Sequence, residues 1–378
     1  MKKNITKSFT LFVLMVVTIS SSAQNQINVV TSAVPFLRIS PDARSAGMGE
    51  LSIATIGDAN SSFANNGRTP FNVDKAGFSV NYTPWLRDLG VNDVFLASLS
   101  GYYKIDEDEQ QAVSASLKYF SLGSIQFTDA LGNELSTYRP KEFAFDIGYS
   151  RKLSDKNGLG IALRYINSSL ARGDYNGQSY KPGSSVAADI HYYHHGLKEN
   201  GEGLNYGATL SNLGTKIAYS TDASQKDFIP ANLGLGVAYT KVFDEMSKVT
   251  FGLDLNKLLV PTTGTSEAEL AAYHNMGVVS SWFKSFGEGG GLGEEFKEIN
   301  FSLGAEYWYN NQFAFRAGYF YENPEKGNRK YITVGAGLKY NMFGLNFSYV
   351  FPSGNGITRI PLSNTWRFGL NFKFDEMN

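Results

Sequence analysis

From residue 76 onward, apolar and polar residues alternate with a period of two in one segment after another. "EFAFDIGYSR" (142–151) puts Phe143, Phe145, Ile147 and Tyr149 on one face and Ala144, Asp146, Gly148 and Ser150 on the other. "VTFGLDLN" (249–256) sets Val249, Phe251, Leu253 and Leu255 against Thr250, Gly252, Asp254 and Asn256. "FAFRAGYFY" (313–321), "FGLNFSYVF" (343–351) and "WRFGLNFKF" (366–374) repeat the pattern. Successive strand side chains point to opposite faces, so each segment reads as a two-faced strand. Such segments fall at 76–83, 93–103, 111–121, 142–151, 158–168, 185–195, 203–212, 230–241, 247–257, 300–309, 312–321, 331–340, 343–351 and 366–374.

The polar face decides what surrounds these strands. A soluble sandwich turns Lys, Glu and Thr toward water. Here that face is mostly Gly, Ala, Ser and Asn with single charges, and the other is Phe, Tyr and Leu. That fits hydrocarbon outside and a crowded interior inside. The expectation is an all-β chain forming a transmembrane antiparallel barrel of about 14 strands, an even number as such barrels require. The connections sort by parity. "KIDEDEQ", "KLSDKN", "GLKENGEG", "VFDEM", "NN" and "NM" are short, and most of the alternate ones are long. Transmembrane barrels have short periplasmic turns and long extracellular loops, which would leave both termini periplasmic. Trp85, Trp308 and Trp366 lie near segment ends, where an interfacial girdle would hold them; ordinary core packing is the alternative.

Residues 1–23 read as a secretory leader: Lys2, Lys3 and Lys7, then "FTLFVLMVV", then small residues before Ala23. The apolar core is about half of the ~20 residues a helical span needs. Residues 24–75 carry no barrel-type strand and are rich in Ala, Gly, Ser and Asn. A barrel this wide holds water unless something fills it. The segment is therefore expected to plug the lumen of the barrel at 76–378. Its Arg38, Asp42 and Arg44 would pair with Asp146, Arg164, Asp189, Asp254, Glu306, Arg316 and Arg367 on the inner face.

Composition narrows the function. The 378 residues include 39 Gly, 22 Tyr and 27 Phe, as a many-stranded fold requires, and 34 basic against 35 acidic residues leave a net charge of −1. No bulk field points to nucleic acid. With no cysteine, disulfides, thiolate catalysis, thiolate zinc sites and a lipidated N-terminal cysteine are excluded. No nucleophile-elbow or zinc-protease motif is present. In "HYYHH", His191 and His195 share a face about 13 Å apart, too far for one metal, so they read as a polar strand end near a turn. No cofactor, metal or catalytic residue is expected. The longest connection, 258–299, opens with Ser266 and Glu269 at capping-box spacing. Leu270, Tyr273, Val278, Trp282 and Phe286 could form one helical stripe, and "GEGGGLG" a joint. Trp282, Phe283 and Phe286 are the candidate partner-binding rings, unless the loop folds over the barrel mouth to hide them.

"AVPFLRISPDARSAGMGELSIATIGDANSS" and "EEFKEINFSLGAEYWYNNQFAFRAGYFYENPEKGNRKYITVGAGLKYNMFGLNFSYVFP" (294–352) resemble the PorV family, outer-membrane proteins of the type IX secretion system of Bacteroidota. "PLSNTWRFGLNFKF" (361–374) is similar to that family's closing strand. The resemblance covers essentially the whole chain beyond the leader. It implies a FadL-like barrel of fourteen strands with an N-terminal plug. It also implies the outer membrane as location, with outer-membrane lipid around it, and no enzymatic activity. The implied partners are the type IX translocon barrel, the C-terminal domains of secreted cargo and the cell-surface attachment complex. The FadL resemblance also offers transport of long-chain fatty acids or other hydrophobic small molecules as the alternative function. One departure stands out: where FadL-like proteins carry Asn-Pro-Ala, this chain reads Asn65-Asn66-Gly67. That puts a proline-fixed plug, and a diffusion route for fatty acids, in doubt.

Overall fold

A computed structural model describes residues 31–374 apart from 88–89, 129–132, 176–177, 221–224, 265, 288–290, 352–361 and 363. The expected leader, 1–23, lies outside the described residues. Fourteen strands form one closed barrel: β1 (Ala76–Pro84), β2 (Val94–Lys104), β3 (Gln111–Leu122), β4 (Lys141–Lys152), β5 (Asn157–Ser169), β6 (Gly183–His194), β7 (Gly203–Gly214), β8 (Asn232–Val242), β9 (Ser247–Leu258), β10 (Ile299–Tyr309), β11 (Phe313–Tyr321), β12 (Lys330–Tyr340), β13 (Phe343–Val350) and β14 (Thr365–Phe374). Each pairs antiparallel with its sequence neighbours, and β1 closes on β14, from Ala76 opposite Phe374 to Tyr82 opposite Phe368. Every strand lies within two residues of the span read from the sequence.

The two faces behave as the alternation demands. On β4, Phe145 and Ile147 are exposed on the outer wall while Ala144, Asp146 and Ser150 are buried inside. The short turns gather at one end. There Asn310 and Asn311 (φ 51) and Asn341 (φ 50) take the left-handed backbone that Asn tolerates. The other end carries the long connections. Two of these hold small hairpins, Ile125–Thr128 with Glu134–Tyr138 and Gly173–Tyr175 with Gln178–Tyr180.

The segment before β1 fills the lumen. It consists of 3-10 turns at Pro35–Arg38, Ser61–Phe63 and Asn66–Phe71 and one short helix, α1 (Ala43–Ala46). It can sit so deep because the wall has no side chain where the plug backbone passes. A Cβ on Gly318 would lie 2.0 Å from the carbonyl carbon of Met48, and one on Gly160 1.9 Å from Asn66 Oδ1. At the long-loop end the plug's Val34 and Phe36 join Trp85, Leu96, Ile166, Ile217, Phe320 and Val350 in one apolar cluster across the lumen.

The girdle expectation is corrected for two of three tryptophans. Trp366 faces outward, 43% exposed. Trp85 packs inside on Phe120, ring centroids 5.2 Å apart. Trp308 also faces the lumen, where the Lys339 ammonium rests 4.4 Å from its ring. The single helical stripe is corrected too. The long connection between β9 and β10 forms α2 (Glu267–Asn275), α3 (Val278–Lys284) and α4 (Leu292–Lys297), broken first at Met276–Gly277. The middle of the expected glycine joint, 288–290, lies outside the described residues.

Candidate functional site: a bolted lumen under a helical loop

Arg44 stands at the centre of the plug's attachment. Asp42 caps α1, accepting from the backbone N–H of Arg44 (2.9 Å) and Ser45 (3.1 Å), which fixes where the Arg44 side chain leaves the turn. Its guanidinium donates twice to Glu306 of β10 (2.9 and 2.8 Å) and also binds Asp58 (2.9 Å). Arg316 of β11 donates to the same Glu306 at 2.7 Å. Glu306 is thus shared between plug and wall, and a paired fork of this kind is among the stronger polar contacts available.

Three more bolts surround it. Asp254 of β9 accepts from the backbone N–H of Ser52 (2.6 Å) and Ile53 (2.9 Å). Arg367 of β14, whose side chain is fully buried, donates to Glu50 at 2.8 Å. Arg38 reaches Glu322, just beyond β11, at 3.1 Å, and Arg329 takes that carboxylate from the other side at 2.8 Å. Burial alone would raise the Glu322 carboxyl. The hydrogen bond and charge of Arg329, with Arg38 beside it, outweigh burial and hold it below the ordinary glutamate value.

Among the ten plug and inner-face residues the sequence singled out, Arg38, Arg44, Asp254, Glu306, Arg316 and Arg367 thus sit at the plug–wall seam. Asp42 and Asp146 do not bridge it. Asp42 is spent on the plug's own helix and on Asn60. Asp146 belongs to a triad within the wall, where Arg164 bridges it (2.5 Å) and Asp189 (2.9 Å). His191 is no strand-end residue. It is buried, with Nδ1 2.6 Å from Asn66 Oδ1 of the plug. His195, by contrast, stacks on Phe71.

Sequence reasoning missed several plug contacts. Lys118 of β3 donates to the carbonyls of Leu37 (3.1 Å) and Ile39 (2.9 Å). Arg68 donates to the Thr55 hydroxyl at 2.7 Å and carbonyl at 3.1 Å. The Asn65-Asn66-Gly67 turn replaces proline rigidity with side-chain bonds. Asn65 accepts from the Gly67 N–H (3.0 Å) and donates to the carbonyls of Ile53 (3.0 Å) and Tyr192 (2.9 Å). Asn66 donates to the Ile161 carbonyl at 2.9 Å. A repeated Asn in a close-packed segment was the available signal. A cavity of about 160 Å³ stays open between plug and wall, bordered by Arg68, Lys118, Asn212, Asn232, Asn256 and Asn300 among others.

The helical loop above is anchored at both ends. Ser266 and Glu269 form the full capping box of α2. Lys216 donates to the carbonyls of Tyr273 (3.2 Å) and His274 (3.0 Å) at the helix C-terminus, while Tyr273 meets Phe228 edge to face. Around α4, Lys257 pairs with Glu295 and Glu298, Lys326 with Glu298, and Lys297 with Glu325. Between these anchors Trp282 is half-buried, but Phe283 is 74% exposed, and Phe286 and Val279 are exposed on the same side.

A family model described as "Type IX secretion system protein PorV" matches residues 21–265. No curated protein matches the chain. Among solved structures, the toluene transporter TbuX of Ralstonia pickettii superposes with a TM-score of 0.53 at 11% identity, over 87% of this chain and 97% of that one. The toluene transporter TodX of P. putida gives 0.50 at 12% identity, over 88% and 98%. The CymD monoaromatic hydrocarbon channel gives 0.51 at 11%, over 94% and 100%. At that identity these likenesses show a shared barrel fold and nothing more. The family match spans more than half of the sequence, and this outer-membrane barrel belongs to the PorV family of type IX secretion system proteins.

Proposed function

We propose that this chain serves type IX secretion as a closed carrier and docking barrel rather than as a conduit. It binds the translocon barrel, receives cargo by its C-terminal secretion signal and delivers it to the cell-surface attachment complex. The long-loop end faces the cell exterior and both termini face the periplasm. The carrying observation is the contrast between a lumen bolted shut by buried ion pairs and apolar rings left standing on an anchored loop. Phe283 and Phe286, with Trp282 beneath them, supply the kind of aromatic anchor on which partner surfaces concentrate binding energy. Plug contacts at Arg38, Arg44, Asp254, Glu306, Arg316 and Arg367 keep the barrel rigid and impermeable during that exchange.

Hydrocarbon transport, named for the fold neighbours, finds little to work with. A small-molecule site usually offers roughly 300–1,000 Å³ of mostly apolar space. The cavity between plug and wall is smaller, about 160 Å³, and is bordered by Arg68, Lys118 and asparagines as well as by apolar side chains. In a strain lacking the chain, cargo bearing the C-terminal signal should accumulate in the periplasm while uptake of labelled long-chain fatty acid stays unchanged. Normal secretion with lost uptake would reverse the assignment.

A further inference from the structure

Between the plug and the short turns, the inner face of β9–β12 carries positive charge that the plug's attachment does not use. The plug backbone passes close over the wall at Gly304, Gly318 and Gly335, where an added Cβ would meet Met48 or Gly47. Gly337 is the next inward position of β12 toward the short turns. A Cβ there would meet wall atoms instead: Arg316 Nη2 at 2.8 Å, Arg316 Nη1 at 2.9 Å and Asn346 Oδ1 at 3.1 Å. Gly337 and Asn346 are only half-buried, and Lys339, on the same inward face, is exposed within the lumen.

Three cations gather there around Trp308. The register sets Lys248 of β9 opposite Trp308, Trp308 opposite Ala314 of β11, and Ala314 opposite Gly337. The Lys339 ammonium lies 4.4 Å from the Trp308 ring centroid, and the Arg316 guanidinium carbon 5.7 Å from it. Arg316 is fully buried. Its Nε is spent on Glu306, but Nη1 and Nη2 have no hydrogen-bond partner. Buried donors left in that state are costly and uncommon. Lys248 and Lys339 have no ion pair among the described residues. The charges that bear on Lys339 are Lys373, Arg44, Lys248 and a single carboxylate, Glu306. Glu306 is already shared by Arg44 and Arg316, and Lys373 is paired with Asp74. Two ammoniums and the free edge of a guanidinium thus face one stretch of lumen without a matching anion.

We propose that this stretch of lumen binds a phosphate dianion, free or as the end group of a small water-soluble monoester. Lys248 and Lys339 hold it, and the Nη edge of Arg316 lies at the buried end of the site. A compact dianion with several acceptor oxygens suits two point charges and a guanidinium fork better than a lone carboxylate does. The strands pair all the way round, so the ligand enters along the lumen from the short-turn end and not from the lipid. In the orientation proposed above, that end opens to the periplasm.

The test uses the full chain, purified in mild detergent in a phosphate-free buffer of low salt. It is titrated with inorganic phosphate, glycerol 3-phosphate and acetate by isothermal titration calorimetry. One phosphate should bind per chain, with acetate at least tenfold weaker. Lys339→Gln and Lys248→Gln should each weaken phosphate about tenfold, as the loss of one charge-assisted hydrogen bond implies. The double variant should bind none. Lys241→Gln, on the outward face of β8 and paired with Glu202, should bind like the wild type. Heat-dependent gel mobility confirms a closed barrel for each variant. Binding of inorganic phosphate supports the free ion as ligand, and binding of glycerol 3-phosphate alone supports a monoester. The proposal is overturned if neither binds, if acetate binds as tightly, if Lys241→Gln weakens binding as much as Lys339→Gln, or if the double variant binds as well as the wild type.

Discussion

The plug and the helical loop are both insertions on the same barrel, and they treat their side chains in opposite ways. In the plug, charge is buried and matched: Arg44 with Glu306 and Asp58, Glu50 with Arg367, Arg38 with Glu322. On the loop, ion pairs gather at the anchors, while Phe283, Phe286 and Val279 are left exposed. A buried charge that loses its partner is costly, so the plug is a structure that does not easily move. An exposed ring costs the fold little and gains value only when something covers it. One insertion fills the lumen, and the other leaves apolar rings uncovered.

The sharpest way to break the contrast is to push the plug off its seat. Gly318 has no room for a Cβ against Met48. Gly318→Val should displace the plug backbone and turn a silent barrel into a conducting one in planar bilayers. A variant as silent as the wild type would mean that the lumen stays sealed without the plug in this position. Removing the central bolt comes next. Arg44→Ala leaves Glu306 with Arg316 alone and Asp58 without its guanidinium, and should cost about 3–5 kcal/mol in a urea titration in phospholipid vesicles.

How much of this the sequence disclosed depends on what enforced it. Strand ends were legible to within two residues because lipid and lumen impose opposite chemistry on alternate positions along each strand. The same parity could have placed the tryptophans. Trp308 lies two residues from Glu306, which must face inward, whereas Trp366 adjoins the inward Arg367 and must face out. Nearness to a strand end was the weaker clue. The pairings themselves were hidden: Arg44 and Glu306 are separated by 262 positions, and nothing local chooses among the inner-face acids. Asp146 found Arg164 because the register of β4 and β5 sets them opposite each other. The plug's asparagines were unreadable as bolts until the wall carbonyls they meet were known.

Acid should separate the plug's attachments from the loop's rings. Glu322 has a lowered folded-state carboxyl value, so its contribution is present above the ordinary glutamate range. It is lost only as pH falls through that depressed value. The Arg38–Glu322–Arg329 bridge should therefore survive mild acid and let go below it. Glu322→Gln should flatten that part of the stability profile in the same urea titration, and an unchanged profile would remove Glu322 as its source. A smaller effect belongs to the loop's own scaffold. Ser266→Ala deletes the side chain that accepts from Glu269 N–H and should cost about 1 kcal/mol, confined to α2 and visible as faster amide exchange there.

The smallest effect on the fold should come from the residues that matter most to the proposed partner. Among the described residues, Phe283 and Phe286 join neither buried apolar cluster, and Lys257 lies over a face of Phe286, 5.2 Å from its centroid. Surface substitutions of this kind usually fall within about 0.5 kcal/mol. The double variant Phe283→Ser/Phe286→Ser should therefore unfold like the wild type, keep a silent lumen and yet recover at least tenfold less translocon barrel in a mild-detergent pull-down. Were the pair instead needed for the loop's packing, stability would fall together with recovery, and the two insertions would no longer differ in kind.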